Sequence, residues 1–301
     1  MNPALPDTPC YLNGEWGPVN QARVSVLDRG FILGDGVYEV VPVYEGRLFR
    51  VDDHLARLER SLAKVQIANP HDRATWLALM RDLVQRVRVH TGTAEQLLYL
   101  QVTRGVAMRD HVMLPGLAPT VFMMSHPMKP PGAELRHHGV AAVTARDFRW
   151  ERGDIKSISL LGNVLARQIA TEQGAVEAVL LREGPHGVAY VTEGASSNVW
   201  IVHEGALLGV PSSEHVLEGI RITLLQELCE EAGIAFNRRP LSEGELRAAD
   251  EVLISSAGRE LLAVTRLDGE PVGHGAGRGK PGPVFARLFE AYQRAKHTQS
   301  V

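Results

Sequence analysis

A proline-rich break closed by glycine, Pro127, Pro130, Pro131 and Gly132, does most to limit what this chain can fold into. Prolines so closely spaced remove backbone donors and stop helices and ladders alike. At 301 residues the chain is too long for one small core. Residues 127–134 are therefore expected to link two domains, residues 1–126 and residues 135–301.

Short β-rich runs alternate with amphipathic helical runs on both sides of the break. In the first block, Asn13-Gly14 marks a hairpin turn within 10–14. Strand-like runs at 24–27 and 37–44 flank Gly30, Gly34 and Gly36, and 47–51 follows the Glu45-Gly46 turn. A helix is predicted to open at Asp52 or Asp53, either of which can cap it, with Leu55, Leu58, Leu62 and Val65 as its buried stripe. A second helix over 72–90 turns Trp76, Leu79, Met80, Leu83, Val84 and Val87 one way and ends at Gly92. Strands are predicted at 97–103 and 120–125.

In the second block, a strand at 140–145 precedes a helix over 160–173, whose apolar face is Leu161, Val164, Leu165 and Ile169 with Gln168 among them. Strands are predicted at 178–181, 188–192, 199–202, 206–209 and 252–255. A helix opens at Gly219, with Ile220, Leu224, Leu225 and Leu228 as its stripe and Gly233 as its end, and a last helix covers 283–296. The fold class is α+β or mixed α/β in two domains.

Composition removes several functions. The formal net charge of -3 leaves no basic field for nucleic acid or an anionic membrane. No apolar run reaches membrane-spanning length, and residues 1–9 carry neither the charge nor the apolar core of a signal peptide. Two distant cysteines, Cys10 and Cys229, form neither a disulfide framework nor a zinc set. A reducing, cytoplasmic setting is expected. The His137-His138 pair lacks further ligands at metal spacing, so no metal site is expected.

Four places carry chemistry. Lys156 in Gly153-Asp-Ile-Lys-Ser157 lies between apolar residues in a stretch with no other lysine from Lys129 to Lys280. An amine in an apolar setting loses affinity for its proton, and the neutral amine is the nucleophile; a surface lysine would read the same locally. Glu193 sits where a strand meets Gly194 and small hydroxyl residues, a setting for pairing with a protonated ring nitrogen or for an ordinary turn. Gly219 opens a helix whose free N–H groups suit an anion such as phosphate, and Arg221 in the first turn is unfavourable there unless an anion neutralises it. Arg109 and His111 stand two apart in a loop and can reach one carboxylate together; a solvated loop is the plainer reading.

Together these motifs resemble the fold-type IV pyridoxal-phosphate enzymes, and within them the D-amino acid (D-alanine) aminotransferases. The resemblance spans nearly the whole chain. It rests on Asp28-Arg-Gly-Phe31, Gly34-Asp-Gly-Val-Tyr-Glu-Val40, His54-Leu-Ala-Arg-Leu58, Thr103-Arg-Gly105, Arg109-Asp-His111, Asp154-Ile-Lys-Ser157, Leu161-Gly-Asn163, Thr192-Glu-Gly-Ala-Ser-Ser-Asn198 and Glu218-Gly-Ile220, in the family's order.

The resemblance implies that Lys156 binds pyridoxal 5′-phosphate as an aldimine and shuttles the substrate α-proton. It implies that Glu193 pairs with the pyridine nitrogen and that Arg57, Ile220 and Arg221 form the phosphate cup. Ser196, Ser197 and Ser256 then line the cofactor. Tyr38, Arg109 and His111 become the trap for the α-carboxylate, with Val40 near the side-chain pocket. Transamination of D-alanine with 2-oxoglutarate follows, in a homodimer whose partner subunit supplies the trap.

Two positions depart from the family pattern, Arg221 where Thr is frequent and Ala257 within a Ser-Thr-Thr run. Three alternatives remain. A branched-chain L-aminotransferase of the same fold lacks the Arg-x-His pair. An aminodeoxychorismate lyase keeps Lys156 and Glu193 without needing the trap. A non-enzymatic pyridoxal-phosphate carrier has a cofactor site and no substrate trap.

Overall fold

A computed structural model describes residues 6–301; the start of the N-terminal segment considered above, residues 1–5, lies outside the described residues. The chain divides into two compact units. The described part of the first is residues 6–129, Ile155–Ser159 and Lys296–Val301; the second is Pro130–Asp154 and Leu160–Ala295.

The first unit contains β1 (Pro9–Leu12), β2 (Glu15–Pro18), α1 (Arg29–Leu33), β3 (Gly36–Tyr44), β4 (Arg47–Leu48), α2 (Val51–Lys64), α3 (Arg73–Thr91), β5 (Gln96–Thr103) and β6 (Thr120–Pro127). The sheet order is β2-β1-β6-β5-β3-β4, and its ladders are antiparallel. Asn13 and Gly14 both take positive φ, as a two-residue hairpin turn requires. Val37, Val41 and Val43 of β3 and Leu98, Leu100 and Val102 of β5 join Leu55, Leu58 and Leu62 of α2 and Met80, Leu83 and Val87 of α3 in one core. Period-2 alternation leaves Tyr38 and Val40 on the opposite, half-buried face of β3.

Two expectations fail here. Residues 24–27 form no strand. Asp28 caps α1 by accepting the Gly30 N–H at 2.8 Å, so the chain turns instead of pairing. Neither Asp52 nor Asp53 caps α2; the cap is Arg50 in the left-handed region, and both aspartates lie in the first turn, where their charge suits the helix dipole.

The second unit contains α4 (Ala133–His138), β7 (Val140–Arg146), α5 (Leu161–Glu172), β8 (Glu177–Glu183), β9 (Ala189–Gly194), β10 (Asn198–His203), β11 (Ala206–Gly209), α6 (Ile220–Ala232), β12 (Phe236–Arg238), α7 (Glu243–Arg247), β13 (Glu251–Ser256), β14 (Glu260–Leu267) and β15 (Glu270–Pro271); α8 (Pro283–Thr298) follows. The sheet order is β12-β11-β10-β13-β14-β7-β8-β9, with β15 on β14. Pairs β7·β8, β7·β14 and β11·β12 are parallel, and α5 makes the crossover between β7 and β8. Mixed helices and sheets in two units bear out the α+β reading.

Most of the predicted apolar face of α5 is not buried within this chain, although Ile169 packs against the core. Leu161 is 71% exposed, Val164 60% and Leu165 50%. Ala166 and Ala170 face the core instead, against Val143, Ala178 and Leu180. Small side chains let the helix lie close on the sheet and leave its large apolar residues outward. Sequence patterning also missed α4, β12, α7, β14 and β15. Strand β14 lies between β13 and β7, and a continuous apolar run with both faces covered carries no alternation to read. Among the described residues no helix is long and apolar enough to cross a membrane, and no cluster of His, Cys, Asp and Glu is suited to hold a metal ion.

Candidate active site

In the first unit, Lys156 rides on a short extended segment along the edge of β3. Its carbonyl accepts the Tyr38 N–H at 2.9 Å, and the Ile158 N–H donates to Gly36 O at 3.1 Å. Ile155 joins the core and Ser157 is buried, so the half-buried lysine is anchored on both sides. Its Nζ stands 4.1 Å from the centroid of the Tyr38 ring. Tyr38 in turn stacks on Tyr99 at 5.8 Å. Burial, and then the neighbouring Tyr38, push the Tyr99 phenol up to about 12, so it stays protonated and donates to Gln101 at 2.6 Å. Val40 lies opposite Tyr99 across the ladder and shares the Tyr38 face. The structure thus brings Lys156, Tyr38 and Val40 to one face.

Arg57 is buried on α2, beneath the other face. Its Nε and Nη2 donate to the two Glu39 oxygens at 2.7 and 2.8 Å, and His54 Nδ1 lies 2.8 Å from the same carboxylate. Burial alone would raise the Glu39 carboxyl, but Arg57 and His54 outweigh it and hold it far below the usual carboxylate range. Sequence reading quoted Glu39 and His54 in motifs without giving them roles.

Arg109 and His111 project from the exposed 104–119 loop between β5 and β6. Among the described residues neither side chain has a hydrogen-bond or ion-pair partner within the chain. Gly105 closes the root of this loop at φ +101, where any Cβ would strike the Ala118 carbonyl oxygen.

In the second unit, Glu193 is the penultimate residue of β9. One oxygen is ion-paired with Arg149, and the other accepts the Leu217 N–H at 3.2 Å. Asp147 binds Arg149 from the other side through bonds at 3.0 Å. Burial would lower the Arg149 pKa, but Asp147 and Glu193 outweigh it and raise it, so this arginine is a fixed cation. A carboxylate has about four lone-pair positions, so Glu193 can accept a ring N–H beside these two bonds.

Ser196 and Ser197 both donate to Glu177 Oε2 at 2.9 Å, and Arg259 Nη1 reaches that oxygen at 2.8 Å. Ser256 accepts the Arg259 N–H at 3.3 Å. Gly219 caps α6 with no side-chain hydrogen bond, and a Cβ there would run into Asn198 Oδ1. The helix start is therefore closely fitted and not stoppered by its own side chain, as an anion site needs. Ile220 and Arg221 are both buried, and Arg221 Nη2 donates to the Tyr292 hydroxyl at 3.1 Å. Glu177, Arg149, Asp147 and Arg259 were missed by sequence reading; a charged residue within an apolar run, as at Glu177, was the available signal.

Comparison with known proteins agrees. The amino-transferase class IV family model matches residues 36–267. The chain is similar to a D-alanine aminotransferase of Bacillus licheniformis, 39% identical over 94% of this chain and 95% of that protein. It is 37% identical to a D-alanine aminotransferase of Staphylococcus aureus over 97% of this chain and 99% of that one. Among solved structures it resembles the branched-chain amino acid aminotransferase of Escherichia coli at TM-score 0.85 and 24% identity, covering 96% and 94% of the two chains. A hypothetical aminotransferase from Mycobacterium tuberculosis, in a form with α-ketoglutarate and PMP bound, matches at TM-score 0.81 and 24% identity, covering 96% and 98%. The family match spans far more than half of the chain and includes every motif from β3 to β14, so the chain belongs to the amino-transferase class IV family.

Proposed function

We propose that this chain is a D-amino-acid transaminase that passes the amino group of D-alanine to 2-oxoglutarate, giving pyruvate and D-glutamate, with pyridoxal 5′-phosphate carried on Lys156. The full-length likeness to D-alanine aminotransferases carries the reading. The unpartnered Arg109 and His111 support it, since branched-chain enzymes of this fold lack that pair. The likeness to branched-chain enzymes concerns the fold alone.

The donor set fits the cofactor: a lysine amine, a buried carboxylate able to accept a ring N–H, and an open helix start. Arg57, Ile220 and Arg221 would hold the phosphate, with Ser196, Ser197 and Ser256 along the cofactor. When bound, the cofactor supplies the electron sink for the pair left as the α-proton departs. Lys156 Nζ, once displaced by the substrate amine, would take that proton from the substrate Cα. Glu193 would accept the N–H of the cofactor ring and so keep that nitrogen protonated. Tyr38, Arg109 and His111 grip the α-carboxylate, and that grip selects the D-enantiomer; Val40 borders the side chain.

A cytoplasmic homodimer completes the proposal, with Arg109 and His111 supplied by the partner subunit and Tyr38 by the chain that carries Lys156. Its support is apolar surface left open in each unit: Phe31, Met108 and Val112 in the first, Leu161, Val164 and Trp150 in the second.

The test is a half-reaction. Purified protein is mixed with D-alanine or L-leucine without acceptor, and the cofactor absorbance is followed. Loss of the lysine-bound band with D-alanine alone is expected. Loss with L-leucine alone would move the chain to the branched-chain class, and no response to either would favour the lyase.

A further inference from the structure

The 104–119 loop displays Arg109 and His111 to solvent, yet it is tied down from inside the first unit. Arg29, only 2% exposed, donates from Nη1 to the Asp110 carbonyl oxygen at 2.6 Å. Its Nε donates to Asp35 Oδ2 at 2.8 Å. Arg104 grips the same carboxylate from Nε at 2.7 Å and Nη2 at 3.0 Å. Two guanidinium charges therefore share one carboxylate. Carbonyl oxygens meet the surplus: Asp110 O for Arg29, and Val65 O at 2.7 Å and Gln66 O at 3.0 Å for Arg104.

Burial would raise the Asp35 carboxyl, but the bonds from Arg104 and Arg29 outweigh it and hold it below its usual range. The backbone repeats the tie. The Arg29 N–H donates to Gly105 O at 2.9 Å, and the Arg104 N–H to Asp35 O at 3.1 Å. Further out, Asp110 Oδ1 accepts the Val112 N–H at 3.1 Å and fixes the turn that carries His111.

From this network we infer that Arg29 is a positioning residue for substrate binding: by holding the carbonyl between Arg109 and His111, it sets the direction in which both side chains point. The inference rests on the reading of that pair as the carboxylate trap. Arginine suits the task because one rigid fork serves Asp35 and Asp110 O at once; a lysine ammonium is a single point charge on a flexible stem.

The test measures D-alanine kinetics in the holoenzyme. Arg29→Lys is expected to raise KM about 10-fold, the effect of one lost charge-assisted hydrogen bond, with kcat changed by less than about three-fold. In an Arg109→Ala/His111→Ala background, Arg29→Lys is expected to add nothing to KM, because it acts through those side chains. A merely structural role would lower kcat and raise KM alike in both backgrounds, and that result would overturn the inference. So would an unchanged KM in Arg29→Lys while Arg109→Ala raises it, with the trap left standing. If Arg109→Ala leaves KM unchanged, the trap reading fails and the inference falls with it. Should Arg29→Lys not fold, Asp35→Asn, which keeps the shape and removes the charge that fixes Arg29, decides the same question.

Discussion

Glu39→Gln tests the buried frame behind Arg57. Glu39 has no exposed surface and joins β3 to α2 through two bonds from Arg57 and one contact with His54. Glutamine keeps the shape but removes the charge and replaces one acceptor oxygen with a donor, so an N–H of Arg57 meets an NH2 group. Removing one partner of a buried pair costs about 3–5 kcal/mol, because the remaining charge stays buried and uncompensated. At roughly 2–4 °C per kcal/mol for a chain of a few hundred residues, the unfolding midpoint should fall by roughly 6–20 °C. The assay is thermal unfolding by circular dichroism, with pyridoxal phosphate titrated into the folded variant at low temperature. Weaker cofactor binding is expected as well, since Glu39 orients the arginine proposed to hold the phosphate. A midpoint within about 1 °C of the parent would refute the reasoning, as it would mean that Arg57 finds equal compensation elsewhere.

Lys156→Ala should abolish the lysine-bound cofactor absorbance and transaminase turnover; parent-level turnover would remove Lys156 from its role. Val164→Glu, on the exposed face of α5, should convert a dimer to monomers by light scattering while each unit keeps its circular dichroism; an unchanged mass would place the interface elsewhere. Stability should decline on acidification in two steps followed by thermal unfolding against pH. His71 and His126 have pKa values lowered by burial, so their contribution is present above the ordinary histidine value of about 6.5 and lost as pH falls below it. Asp35, Glu39 and Asp147 have lowered values, so theirs is lost only below about pH 4; Glu251, raised by burial, opposes them, and a protein more stable at pH 4 than at pH 7 would contradict the signs.

Local signals were legible and distant ones were not. Asp72 caps α3 through the Thr75 N–H at 2.8 Å, and Gly92 ends that helix in the left-handed region, as the sequence implies. Gly219 opens α6 without a side-chain cap, and Gly233 ends it in the left-handed region, as the sequence implies. On α5 the pattern gave an apolar face and the structure leaves it open, because periodicity reports that a face avoids water and not what covers it. Lys156, Tyr38 and Glu193 stand in motifs that the sequence displays. The buried ion pairs do not, because topology supplies them: Arg149 reaches Glu193 across 44 positions, Arg104 reaches Asp35 across 69, and Arg259 reaches Glu177 across 82. No window of sequence contains such a pair.

Those missed partners divide the cations of the candidate site into two kinds. Arg29, Arg149 and Arg259 each bind a carboxylate that burial and charge keep in place. Such an arginine is already compensated, so its free energy depends little on whether an anionic ligand arrives, and its rigid fork makes it a support. Arg109 is exposed and has no such partner among the described residues. In the proposed role it gains its counter-charge from the substrate carboxylate, so its interaction should appear as substrate affinity. Substitutions at the paired arginines should therefore reach stability and cofactor retention first, and substitution at Arg109 should reach KM first. The same guanidinium group performs two tasks in one fold, and the presence or absence of a buried carboxylate beside it decides which.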